Sequence, residues 1–182
     1  MMPSPAASAV SLPRPLRRFR RDGRGSAAVE FALVAPVFFA LLFAILEAGI
    51  MFLAGQVLQT VAQESARMIL TGQAQTASYT PPQFATYVCS QVPALFNCNS
   101  ISVDVTSYSS FSAVTITNPI DNAGNFVSNN LQYSPGGPGD IVMVRLFYQW
   151  PLFVTGLGWN PSNLAGNKRL LVGTAVFKNE PY

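Results

Sequence analysis

Glu30 stands five positions after Gly25 and opens a run that is otherwise apolar, Phe31-Ala32-Leu33-Val34-Ala35-Pro36-Val37-Phe38-Phe39. An ionised carboxylate at the centre of a membrane helix costs about 2.5–3.5 kcal/mol, so its presence here asks for a partner or a task. Elsewhere the chemical repertoire is thin. The chain has no histidine, which removes Ser-His and Cys-His pairs and imidazole metal clusters. The acids Asp104, Asp121, Asp140 and Glu180 are scattered without paired spacing and read as solvated surface groups rather than an acid/base pair. Two cysteines without a histidine make an incomplete zinc set. No catalytic residue, metal or cofactor is therefore expected.

Charge is distributed as a topology signal. Arg14, Arg17, Arg18, Arg20, Arg21 and Arg24 against Asp22 give residues 1–25 a net +5, while the remainder holds five basic and seven acidic residues, a net −2. Lys and Arg beside an apolar span are retained on the cytoplasmic side. A nucleic-acid-binding arm would have no reason to abut such a span, so no nucleic-acid partner is expected. Between Phe31 and Ala54 only Glu47 is charged. As a helix this stretch would reach about 36 Å, enough for a hydrocarbon core of about 30 Å. Glu47 then falls near the far interface or meets a neighbouring subunit, and Pro36, lacking an amide hydrogen, is expected to kink the helix. A removable secretory signal is disfavoured because Glu47 stands where small cleavage-site residues would be needed.

The elements that must hold these residues follow from periodicity. Val57, Leu58, Val61, Ala62, Met68 and Ile69 recur at three- and four-residue steps, extending one helix from about Ser26 to Thr71 with Gly72 as its stop. Alternation marks strands at 101–106, 113–117, 140–150 and 169–177, separated by turn-rich stretches. The expected fold is α+β, a long helix packed on a small antiparallel sheet. Its divisions are a basic leader 1–25, a transmembrane half 26–54, an amphipathic stalk half 55–72 and a head 73–182. Tyr148, Trp150 and Trp159 read as core or membrane-interface aromatics. If the arm is cytoplasmic the head lies in an oxidising compartment, where Cys89 and Cys98 form a disulfide rather than remaining two buried thiols. Closing that loop of about ten residues would contribute about 2.5–3 kcal/mol.

Gly25, Ser26 and Glu30 at the junction of an arginine arm and an apolar helix resemble the class III leader of type IV prepilins. With Phe31-Ala32-Leu33-Val34-Ala35-Pro36, Ala62-Gln63-Glu64-Ser65-Ala66-Arg67 and the tail Asn179-Glu180-Pro181-Tyr182, the chain is similar to TadE-like minor pilins (pseudopilins) of the Tad/Flp tight-adherence system. Major Flp pilins are much shorter and often carry tyrosine after the glutamate. Larger TadG-like relatives add a von Willebrand-type domain. The resemblance implies a pilin-like fold and cleavage after Gly25 by a prepilin peptidase. It also implies pairing of Glu30 with the Ser26 ammonium of a neighbour. Implied partners are the membrane, that peptidase, sister minor pilins, the major Flp pilin and the pilus assembly platform. The implied location is the bacterial inner membrane with a periplasmic head, surface-exposed within a pilus. The alternative is a single-pass membrane-anchored interaction module unrelated to pili.

Overall fold

The computed structural model describes residues 25–155 and 159–182. The chain divides into two compact units with the boundary after Leu42. One helix, α1, runs Ser26–Leu70 and continues through Pro36 without interruption. Before residue 43 no side chain of α1 is buried, and the apolar residues Val29, Phe31, Leu33, Val34, Val37 and Phe38 are exposed. Such a helix is stabilised by water exclusion only if something apolar surrounds it. It is the one described helix long and apolar enough to cross a membrane.

From residue 43 onward the helix belongs to the second unit and acquires a buried stripe: Glu47, Met51, Ala54, Leu58, Val61, Ala62, Ser65, Ala66 and Ile69. Steps of three and four keep these residues on one face, which lies on an antiparallel sheet of order β1-β2-β3. The strands are β1 Ile101–Tyr108, β2 Ile141–Pro151 and β3 Lys168–Lys178. Side chains alternate along a strand. Val142, Val144 and Leu146 therefore join the helix-side core, whereas Phe147 joins a second cluster with Leu164 and Leu170. At Gly173 the helix backbone comes so close that a Cβ would run into the Leu58 carbonyl. After Leu70 the chain turns through Gly72, whose φ of 74° suits glycine.

Two expectations are corrected. The alternation at 113–117 forms no strand: Phe111–Ala113 is a short 3-10 turn, and the sheet has three strands. The place such a strand would take, the outer edge of β1, is occupied by another segment, for the Val105 N–H donates to Gln132 O and Ser134 N–H to Val105 O. The head also contains a helix that strand periodicity hides: α2 is the single turn Gln73–Thr76, and α3 spans Pro81–Gln91. Its signal is local: Thr80 and Gln83 form a capping box, with prolines in the first helical turn where no amide hydrogen is needed. Phe84 and Val88 of α3 are fully buried in the helix-side core. Cys89 at its end is bonded to Cys98, with Cα atoms 5.4 Å apart.

Candidate functional site

In the first unit, Gly25 is exposed and has open space around its Cα, and α1 begins one residue later. Glu30 is also exposed. The Ser26 hydroxyl donates to Glu30 Oε1 at 3.4 Å, across one helical turn. The two residues whose ammonium and carboxylate the resemblance pairs between neighbours are thus in contact within one chain, through the Ser26 hydroxyl. Glu30 is the fifth residue of α1, and no acid occupies its first turn. The macrodipole, which acts within that first turn, is accordingly a small contribution to its placement. Arg14, Arg17, Arg18, Arg20, Arg21 and Arg24 lie outside the described residues.

Glu47 has a different environment. It is 9% exposed, and its carboxylate accepts the Phe153 N–H at Oε1 and the Val154 N–H at 3.1 Å through Oε2. A buried carboxylate is tolerated when donors replace its water, and charge-assisted bonds of this kind are roughly twice as strong as neutral ones. Here the donors are two successive amides just beyond β2. The helix therefore grips the start of the β2–β3 connection. Around the grip, Phe43, Leu46, Ile50, Trp150, Phe153 and Val154 line an almost wholly apolar pocket of about 290 Å³. The apolar neighbours on α1 gave no hint of this partner, because it lies 106 residues away in sequence.

Asp104 is not a solvated surface acid. It is 1% exposed and faces Arg145 across β1 and β2, where the strand register pairs the two. Its Oδ2 accepts Arg145 Nη2–H at 2.7 Å and Nε–H at 3.0 Å, and its Oδ1 accepts the Gln132 N–H at 2.8 Å. Arg145 Nη1 donates to the Thr117 carbonyl, and the guanidinium lies 5.2 Å from the centre of the Phe147 ring. Every polar atom of the pair is occupied, so the pair ties the long β1–β2 loop to the sheet at two points. A cleft of about 500 Å³ beside it is lined by Thr106, Tyr108, Thr117, Asn130 and Gln132 among others. Asp121 is exposed in a turn, where the Asn125 N–H and then its side-chain amide hold its carboxyl below the usual range. Asp140 accepts the Gly137 N–H at 2.8 Å, and Glu180 is exposed at the tail. The four acids do not converge on one place.

No curated protein and no solved structure matches the chain significantly. A family model does, over residues 25–67, and its description is TadE-like protein. The match takes in Gly25, Glu30, Glu47 and most of the stripe beneath the sheet, and it leaves out the head's strands. Over residues 25–67, the segment that carries its candidate site, the chain is similar to TadE-like proteins.

Proposed function

We propose that the chain is a minor pilin of a Tad-type pilus, cut after Gly25 by a prepilin peptidase and assembled through the new N-terminus. The observation that carries this reading is the arrangement at residues 25–30: an accessible glycine at the last position before a helix, then an exposed carboxylate one turn in. Cleavage would turn Ser26 into an ammonium. The match to the TadE-like family supports association with a Tad pilus.

The chemistry of assembly follows from the cost of an unpaired charge in lipid. In a staggered bundle, Glu30 of one subunit neutralises the Ser26 ammonium of the next, and each charge removes the other's desolvation penalty. Subunits out of register leave both unpaired, so the pair specifies position more than it adds affinity. The membrane and sister pilins are the partners in this reading, with the head on the far side of the membrane from the arginine arm. Processing is the experiment. Mass analysis of the protein from its native host should find a chain beginning at Ser26, and Gly25→Leu should abolish the cut without blocking membrane insertion. An intact N-terminus in cells with an active prepilin peptidase would reject the proposal in favour of a plain membrane anchor.

A further inference from the structure

The grip of Glu47 on the residues after β2 has an odd product: it fixes in place a phenylalanine that is 86% exposed. Phe153 contributes no side chain to either buried core cluster. Yet holding it requires a carboxylate to be stripped of water and two amides to be aimed at it. On the helix, Leu46 and Ile50 line the pocket beside it, and Ile45, Phe52 and Leu53 are exposed around the same turns. No charged side chain interrupts this collar. The one acid in the stretch, Glu47, points inward to the Phe153 and Val154 amides. Exposed apolar surface on every side of a helix marks an interaction site rather than an ordinary soluble face.

We propose that Phe153 and the helix residues around Glu47 form a lipid-contacting collar, by which the second unit rests on the membrane interface with Glu47 as the residue that positions the Phe153 loop. The proposal rests on the reading of α1 as a bilayer span. The occupant follows from continuity, because the collar lies on the same helix and directly continues the exposed apolar residues that make α1 a span candidate. Tryptophan and tyrosine favour the headgroup region, and Trp150 beside Phe153 in the apolar pocket fits that preference. The collar sets the depth of the head, and it also buries the backbone of a loop that would otherwise meet lipid with open amides. Glu47 satisfies two of those amides before they reach the interface.

The test uses the full chain in phosphatidylcholine–phosphatidylglycerol vesicles containing lipid brominated near the headgroup. In a Trp150→Phe, Trp159→Phe background, single tryptophans report from Phe153→Trp, from Phe39→Trp within the span, and from Phe111→Trp on the exposed head. The expected result is a blue-shifted Phe153→Trp emission quenched at least about twofold, as for a ring about 5–10 Å into the headgroup and acyl boundary. Phe111→Trp should be unaffected, and Glu47→Ala should relieve the quenching at position 153. Aqueous, unquenched emission at 153 with Phe39→Trp quenched by deeply brominated lipid overturns the collar while leaving the span standing, and assigns the patch to a protein partner. Loss of quenching at both positions overturns the span and the collar together. Quenching at 153 that survives Glu47→Ala overturns the positioning role of Glu47.

Discussion

Glu30 and Glu47 stand on one helix, yet their carboxylates meet different surroundings, and amide substitution should separate them. Glu30 is exposed, and the Ser26 hydroxyl donates to it. Glu30→Gln is expected to insert, be cut and fold, while co-purification with sister pilins and the number of surface pili fall; normal piliation would sink the pairing argument. Glu47→Gln acts inside the subunit. Its amide turns a donor toward a backbone N–H, so about 1.5–3 kcal/mol of charge-assisted bonding is at stake and the full chain in detergent should melt at lower temperature. An unchanged melting temperature would mean the grip contributes nothing. Tyr133 provides a third case. Its hydroxyl is buried with no hydrogen-bond partner among the described residues, and burial, with Tyr79 second, raises its pKa above the ordinary 10.0. A raised pKa means the folded state holds the proton more tightly. That contribution is present below about pH 10 and is lost as pH rises beyond it. Tyr133→Phe removes both the unpaired group and its titration. Stability at neutral pH should stay level or rise by up to about 1 kcal/mol. Alkaline loss should be shallower in urea titrations at increasing pH, and a marked loss at pH 7 would reveal a hidden partner for the hydroxyl.

The helix was legible in the sequence because its signals are local. Steps of three and four, the apolar run and Gly72 at the end locate α1 to within a residue of Ser26–Leu70. Strands β1, β2 and β3 were legible for the same reason. The errors come from competition that pattern cannot show: Val114, Thr115 and Ile116 alternate like a strand, but residues 132–134 hold the edge of β1 they would need. Asp104 alternates correctly as well. Whether its face was wet or covered depended on the long loop carrying Thr117 and Gln132. Glu47 and Phe153 could not be joined by periodicity at all. Helix and sheet are also locked by devices that only the fold shows. The Gln59 side chain donates to Thr174 O at 2.8 Å and accepts the Thr174 N–H at 2.9 Å, so an amide stands in for a missing strand and blunts that edge. One position further, Gly173 lets α1 settle on β3. Gly173→Ala should lift the helix from the sheet and cost about 1–3 kcal/mol by overpacking, read as a lower denaturation midpoint. A neutral result would show that the helix backbone can yield at Leu58.

Arginine-rich residues 1–25, with a net charge of +5, precede a remainder of −2, and this asymmetry governs how the chain should be oriented in a bilayer. If the arm stays in the cytoplasm, everything after the span is exported, and the second unit must fold where no cytosolic reductant reaches it. Its disulfide is suited to that place. The Cys89–Cys98 bridge joins the end of α3 to the 3-10 turn Cys98–Ser100 that leads into β1, so it fastens the start of the sheet to a helix already packed in the core. Closing so short a loop is worth about 2.5–3 kcal/mol, a large share of the 5–15 kcal/mol by which a domain is stable. On that orientation, insertion and folding would be coupled: a chain inserted the other way would keep its thiols and lose part of its stability. A reporter fused after Tyr182 should be active only in its exported form, and non-reducing mass analysis of the same protein should find Cys89 and Cys98 bridged. Replacing Arg14, Arg17, Arg18, Arg20, Arg21 and Arg24 by glutamine should lower reporter activity and the bridged fraction in parallel, because both depend on the same topological decision. Cys89→Ser with Cys98→Ser should leave reporter topology unchanged and lower only the resistance of the head to protease. Free thiols in a protein whose reporter is exported would break the link between orientation and bridge formation, and an inactive reporter with the wild-type arm would reverse the orientation itself.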